Sequence, residues 1–344
     1  MAPILVRASA WWFNKVPLSV VLVLLLLDGQ RFSLGALAVI ALVVLTVCAV
    51  GNYGYALNEL FDIEEDARLG RSNAAAAVPR WRMWAIIGAS ALAAEACATV
   101  LAGAPGAFLT VIELSLPLAY SAPPLRIKER KWFGVAADGL AAHVYPAILA
   151  LMAVTYWALR PVPVVLAALV VVWAAAVGLR GILSHQLQTS EQDRGAGLRT
   201  VVHDLGNERL ERFIVAAVLP LEVIAFGGVL IACHVGIILW VFVAAYVLYE
   251  AFKTFSGRFT VTAFRSGGQR YVPFVEESFY KAWGPLVVAL DAARVDLLYL
   301  IVVPIYAVLF RRHLEIEMQR FRSMLVPARI NPTKAADGRS NEES

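Results

Sequence analysis

Long apolar runs alternate with short polar connections along the whole chain. The runs begin near Pro17, Ser33, Met83, Ala107, Phe133, Pro163, Phe213 and Gly236, and a last apolar region covers about 283–310. Runs of this kind suit a hydrocarbon core roughly 30 Å thick, where a helix pairs all its backbone groups internally. Several contain only short clean apolar stretches, as expected of helices that turn one face toward a polar cavity. The pattern predicts an all-α polytopic membrane protein with nine or ten transmembrane helices. The final region, GPLVVALDAARVDLLYLIVVPIYAVLF, sets the count: it reads as a tight hairpin broken near Arg294, or as one long tilted helix after an interfacial piece. The hairpin is the preferred reading.

Two polar triplets stand out just after apolar runs: Asn58, Asp62 and Asp66, and then His185, Thr189 and Asp193. A spacing of four advances a helix about 40° beyond a full turn, so each triplet lies along one slowly drifting face. Carboxylates at a membrane helix end are costly to desolvate without a partner, and hard Mg²⁺ is commonly held by one or two carboxylates together with substrate phosphate oxygens. The first triplet therefore predicts a phosphate-bridging metal site.

Composition agrees with a membrane class: 60% of the 344 residues are hydrophobic and 16% are charged. The net charge of +4 is too small to suggest nucleic acid as a partner. The distribution of basic residues is more telling. They gather in alternate connections: Arg68, Arg71, Arg80 and Arg82; Arg126, Lys128, Arg130 and Lys131; Arg194, Arg199, Arg209 and Arg212; Lys253, Arg258, Arg265 and Arg270. The other connections hold little beyond Arg31 and Arg160. The positive-inside rule places the N-terminus and both triplets on the cytoplasmic side. A further cluster, Arg311, Arg312, Arg320, Arg322 and Arg329, belongs on the same side and requires an even number of crossings. The start of the chain shows no small-residue cleavage site, so the first helix is expected to stay. Cys48, Cys97 and Cys233 are isolated in apolar runs and read as buried thiols.

The segment NELFDIEEDARLGRSN resembles the N-x-x-x-D-x-x-x-D signature of the UbiA-type intramembrane prenyltransferase superfamily. YSAPPLRIKERKWFG looks like that family's Tyr-Ser-x-Pro-Pro-x-Arg-x-Lys segment, and SHQLQTSEQDRGAGLRT is similar to its second acidic signature. The three fall in order after the second, fourth and sixth helices, and the resemblance covers about residues 10–310. The second signature departs from the family: aligning Asp193, Arg194, Gly197 and Thr200 puts Thr189 where an acid is usual and His185 where Asn or Asp often sits.

The resemblance implies helices around a central cavity open to the cytoplasmic side. It implies transfer of an isoprenyl group from a prenyl diphosphate to an acceptor that the sequence does not identify, with Mg²⁺ held by Asp62, Asp66 and Asp193. Asn58, Tyr120 and His185 would complete the catalytic set, and Arg71, Arg126, Lys128, Thr189, Arg194 and Arg199 would bind substrate. Tyr53, Tyr55, Phe61 and Tyr145 are aromatic candidates to face an allylic cation. Glu95, Glu113, Asp138 and Glu222 are further intramembrane acids, and His143 reads as an interhelical hydrogen bonder. Residues 1–315 form the expected transmembrane domain and 316–344 a polar, partly disordered tail. Membrane lipids are the remaining partners, and the expected location is a bacterial plasma membrane with the site toward the cytoplasm. Two other readings remain: phosphoribosyl-type transfer to a polyprenyl phosphate, and a catalytically degenerate isoprenoid-lipid binder or scaffold, which Thr189 would favour.

Overall fold

A computed structural model describes residues 6–157, 159–195, 200–264 and 270–325. The apolar runs are helices: α1 (Ala8–Leu26), α2 (Leu34–Arg68), α3 (Arg80–Ser121), α4 (Trp132–Tyr156), α5 (Val164–Gly195), α6 (Asn207–Ala232), α7 (Ile237–Phe255), α8 (276–292), α9 (Leu297–Leu309) and α10 (Arg311–Leu325). Six of these are long and apolar enough to cross a membrane, and seven if the pair α9 and α10, bent by 79°, counts as one. The chain is thus an integral multi-pass membrane protein with an all-α fold. Side chains such as Leu92, Ile224 and Leu248 are exposed on the outer faces, where lipid tails would cover them.

The helical segments run between two ends. α3 is two arms, 80–101 and 104–121, joined at Ala102 and Gly103; Gly103 takes φ 61 and ψ −151, a conformation open in practice only to glycine. This break is the turn that the separate runs at Met83 and Ala107 predict. One end of the bundle collects Asp28, Arg160, His234 and Arg294: Arg294 bonds Asp28 Oδ2 at 2.6 Å and the His234 carbonyl at 3.3 Å, while Arg160 reaches the carbonyls of Asp28 and Ala232, each at 3.4 Å. Arg294 sits at the turn between α8 and α9, so the final apolar region breaks where the hairpin reading places the break. Its pairing with Asp28 explains how an arginine stands at the end poor in basic residues. Burial pushes the Asp28 carboxyl above its ordinary range, and the Arg294 charge acts against that shift.

The other end carries both polar triplets. There α10 folds back across the bundle, with His313 Nε2 2.9 Å from the Phe13 carbonyl and Glu317 3.2 Å from Lys253 Nζ. Helix thus continues through 316–325; residues 326–344 lie outside the described residues. The connection after α7 holds a short parallel pair, β1 (Thr260–Thr262) and β2 (Tyr271–Pro273), and the Ala263 carbonyl beyond β1 accepts from Arg180 on α5. Three helices widen into π turns: α4 at Leu140–Val144, α6 at Ile214–Val218 and α8 at Glu276–Trp283. Such turns recur at functional sites because they re-aim side chains. Here they put His143 from α4, and Glu276, Tyr280 and Lys281 from α8, on the wall of an internal cavity.

Candidate active site

The cavity has a volume of about 380 Å³ and is enclosed by α1, α2, the second arm of α3, α4, α5 and α8. Asn58, Tyr120 and His185 line it, one from each of α2, α3 and α5. Asp62 lies one turn beyond Asn58 toward the helix end and is only 7% exposed. Its Oδ1 accepts from Lys128 and lies 3.4 Å from Arg126 Nη2. Arg126 also holds Glu65 at 2.6 Å and Glu129 at 2.9 Å, which its backbone permits by turning to φ 34 just after the Pro123–Pro124 segment. Arg126 and Lys128, which positive-inside bias alone would leave as surface charges, are thus bound to the first signature.

Asp66 accepts from Asn73 Nδ2 at 2.8 Å, folding the connection after α2 back over the helix end. On the facing helix, Thr189 donates to Asp193 Oδ2 at 2.7 Å, and Asp193 Oδ1 lies 4.0 Å from Arg71. The Arg71 amide in turn bonds the Asp66 carbonyl at 2.8 Å, so this one residue spans the ends of α2 and α5. The contacts of Arg71 with Asp193 and with the Asp66 carbonyl place the two signatures around one mouth. Arg194 is exposed at the end of α5, and Arg199 lies outside the described residues.

Among the described residues no three His, Cys, Asp or Glu side chains gather into a metal cage. The donor set nevertheless suits Mg²⁺, which binds through one or two carboxylates and shares its remaining shell with water and substrate phosphate. Asp62, Asp66 and Asp193 are hard oxygen donors at one mouth, and each has at least one oxygen engaged by a cation or a neutral donor that a metal–phosphate group can replace. Thr189 makes no carboxylate contribution; its hydroxyl orients Asp193 instead.

Of the aromatic candidates, Tyr55 and Tyr145 line the cavity. Tyr53 instead donates to the Leu114 carbonyl at 2.9 Å and Phe61 packs edge-on against Trp84, so both serve helix packing. Asp138 lines the cavity as its position after the basic segment predicts. Glu222, one of the intramembrane acids, is held by Arg180 through two bonds of 2.6 and 2.8 Å. Sequence reasoning missed Arg180, Lys15, Glu276 and Lys281. Lys281 alone carried a local signal, with Glu277 four residues before it and now 2.7 Å away. It also missed Glu59, 1% exposed, which holds Arg7 and the Ala74 amide and so fastens the chain around the mouth.

The described geometry has clear relatives. The UbiA prenyltransferase family profile matches residues 16–267, and the chain belongs to that family. Among solved structures it is similar to a UbiA homologue from Archaeoglobus fulgidus bound to GPP and Mg²⁺, with 18% identity and a TM-score of 0.57 over 86% of this chain and 98% of that one. A UbiA homologue from Aeropyrum pernix K1, without ligand, shares 21% identity with a TM-score of 0.55 over 85% and 100% of the two chains. A structure concerning digeranylgeranylglyceryl phosphate synthase in membranes gives 14% identity and a TM-score of 0.52 over 89% and 95%. Comparison with curated proteins returned no match.

Proposed function

We infer that the chain is a Mg²⁺-assisted prenyltransferase that moves an isoprenyl group from a prenyl diphosphate to a small acceptor held in the central cavity. The observation that carries this reading is the mouth itself: Asp62 and Asp193, each beside a cationic side chain, stand above a cavity lined by Asn58, Tyr120 and His185. GPP and Mg²⁺ bound to the Archaeoglobus relative support the same donor class and metal. Asp62, Asp66 and Asp193 would hold Mg²⁺, which supplies positive charge to the departing diphosphate.

The chain's own residues do the rest. Lys128, Arg126 and Arg71 already lie at the carboxylates and are placed to move onto phosphate oxygens, stabilising charge as the allylic carbon–oxygen bond breaks. Asn58 and Tyr120 sit just below, within reach of the bridging oxygen and the acceptor. Tyr55 offers a π face to the allylic cation. Arg194 and Arg199 add charge from the end of α5. The basic residues at the mouth end support a mouth that faces the cytoplasm, and the membrane we propose is a bacterial plasma membrane.

The test is diphosphate release from a panel of prenyl diphosphates by the protein in nanodiscs, with a membrane extract as the source of acceptors. Mg²⁺-dependent release is expected, cut by at least about a hundredfold in Asp62→Ala, in line with loss of a charge-stabilising group. Metal-dependent donor binding with no release would favour the lipid-binder reading, and release of diphosphate from a phosphoribosyl donor instead would favour the phosphoribosyl reading. Absence of donor binding would overturn all of them.

A further inference from the structure

Glu113 has no part in the chemistry above. It is 2% exposed, faces the cavity from the second arm of α3, and among the described residues no hydrogen bond reaches its Oε1. Other buried charges around the cavity are matched: Glu222 by Arg180, Lys281 by Glu276 and Glu277. A buried polar atom without a partner costs about 1–3 kcal/mol. The fold alone gains nothing from a glutamate here.

Its depth can be read from the packing. Tyr53 bonds the Leu114 carbonyl and Gly54 lies against Pro117, so Glu113 is level with the Gly51–Gly54 stretch of α2, where both glycines line the cavity. Tyr120, at the mouth, is seven residues away on the same helical arm, about 10 Å at 1.5 Å per residue. The inner wall is polar elsewhere too. Lys15 Nζ is 3.2 Å from His143 Nε2, the Tyr145 hydroxyl is 2.9 Å from Thr110 Oγ1, and Arg180 and Glu276 complete that side. An isoprenoid tail would desolvate these groups without pairing any of them.

Resting on the transferase reading, we propose that Glu113 receives a hydrogen-bond donor of the acceptor substrate. The acceptor is then a compact polar molecule carrying a hydroxyl or amino group about 10 Å from the atom that is prenylated. In the transfer the allylic carbon–oxygen bond breaks with its electron pair going to the diphosphate, and the acceptor's nucleophilic atom bonds the allylic carbon at the mouth and gives up its proton to the released diphosphate. Glu113 holds the far end of the acceptor and is a positioning residue. A site built around a substrate donor discriminates sharply against analogues that lack it, because the glutamate would stay unpaired in their complexes.

The experiment compares the protein with Glu113→Gln and Glu113→Leu in nanodiscs, using labelled geranyl diphosphate with Mg²⁺ as the donor probe and a membrane and metabolite extract as acceptor source. For Glu113→Leu the expected result is a raised Tm, geranyl diphosphate binding within about twofold of the unsubstituted protein, and label incorporation down by at least about tenfold, the size of one lost buried hydrogen bond. Glu113→Gln, which keeps an acceptor oxygen, is expected to retain an intermediate rate. Unchanged incorporation in Glu113→Leu overturns the proposal, as does a loss of geranyl diphosphate binding confined to the variants, which would assign Glu113 to the donor chain. A fall in Tm for Glu113→Leu assigns it to the fold and also overturns it. Failure of the unsubstituted protein to bind geranyl diphosphate overturns the transferase reading instead.

Discussion

Charge inside this bundle is placed in pairs, and the pairs differ in what they do. Arg180 and Glu222 are 1% and 0% exposed and bond through two contacts, so neither can be removed alone without leaving an uncompensated buried charge. Breaking such a pair from one side costs about 3–5 kcal/mol, while replacing both partners by apolar residues of similar volume is often neutral. Arg180→Met and Glu222→Leu are each expected to lower Tm strongly in detergent, and the double variant to recover most of the loss; equal loss in the double variant would show that Arg180 acts through the Ala263 carbonyl and Glu276 instead. The mouth pairs are of another kind. Arg71 and Asp193 are 4.0 Å apart with partly exposed side chains, so their contact contributes little to stability and is free to exchange for a ligand. This difference also separates what the sequence shows from what it hides. Asn58, Asp62 and Asp66 declare themselves by their spacing, because a functional face on one helix leaves a period. Arg180 and Glu222 are 42 residues apart, and each alone is one charge in an apolar run.

At the scale of elements, the helices were readable and their ends were readable from charge, but their irregularities were not. The break in α3 follows from Gly103, whose φ of 61 with ψ of −151 strains any side chain, and a Cβ there would lie 3.1 Å from the Tyr156 ring. Gly103→Ala is expected to destabilise by about 1–3 kcal/mol, the cost of holding a non-glycine residue in this region, measured by chemical unfolding in mixed micelles; a neutral result would mean that the two arms of α3 can straighten. Nothing in the sequence marks the π turns of α4 and α8, since a π turn differs from an α turn only in how one extra residue is taken up. Yet these turns aim His143 and Lys281 inward. Glu113, Asp138 and His143 were therefore legible as polar groups in apolar runs, while the pairing of Lys15, Glu276 and Lys281 around the same cavity was not. A second close approach, Gly178 against the Gly139 carbonyl, lets α4 and α5 meet with little between them and keeps the wall carrying Asp138 beside that carrying His185.

For the whole molecule, the two ends have opposite electrostatic designs, which is the argument for the orientation proposed above. At the mouth end, cations outnumber acids along the connections after α2 and after the second arm of α3. At the far end Arg294 is held by Asp28 and Asp291, and Arg160 is spent on carbonyl oxygens. A compensated arginine has less to lose on crossing the bilayer than a free one, so Arg294 and Arg160 do not contradict the rule that places uncompensated cations inside. The hairpin at Arg294 then brings α10 to the same end as the N-terminal segment, which His313 confirms by reaching the Phe13 carbonyl. With Cys48, Cys97 and Cys233 replaced, Arg31→Cys is expected to react with a membrane-impermeant maleimide in intact cells, and Arg130→Cys and Arg322→Cys only after permeabilisation. Labelling of Arg130→Cys in intact cells would invert the orientation and place the mouth outside. Labelling of Arg322→Cys but not Arg130→Cys would mean that the hairpin does not cross the membrane as a pair.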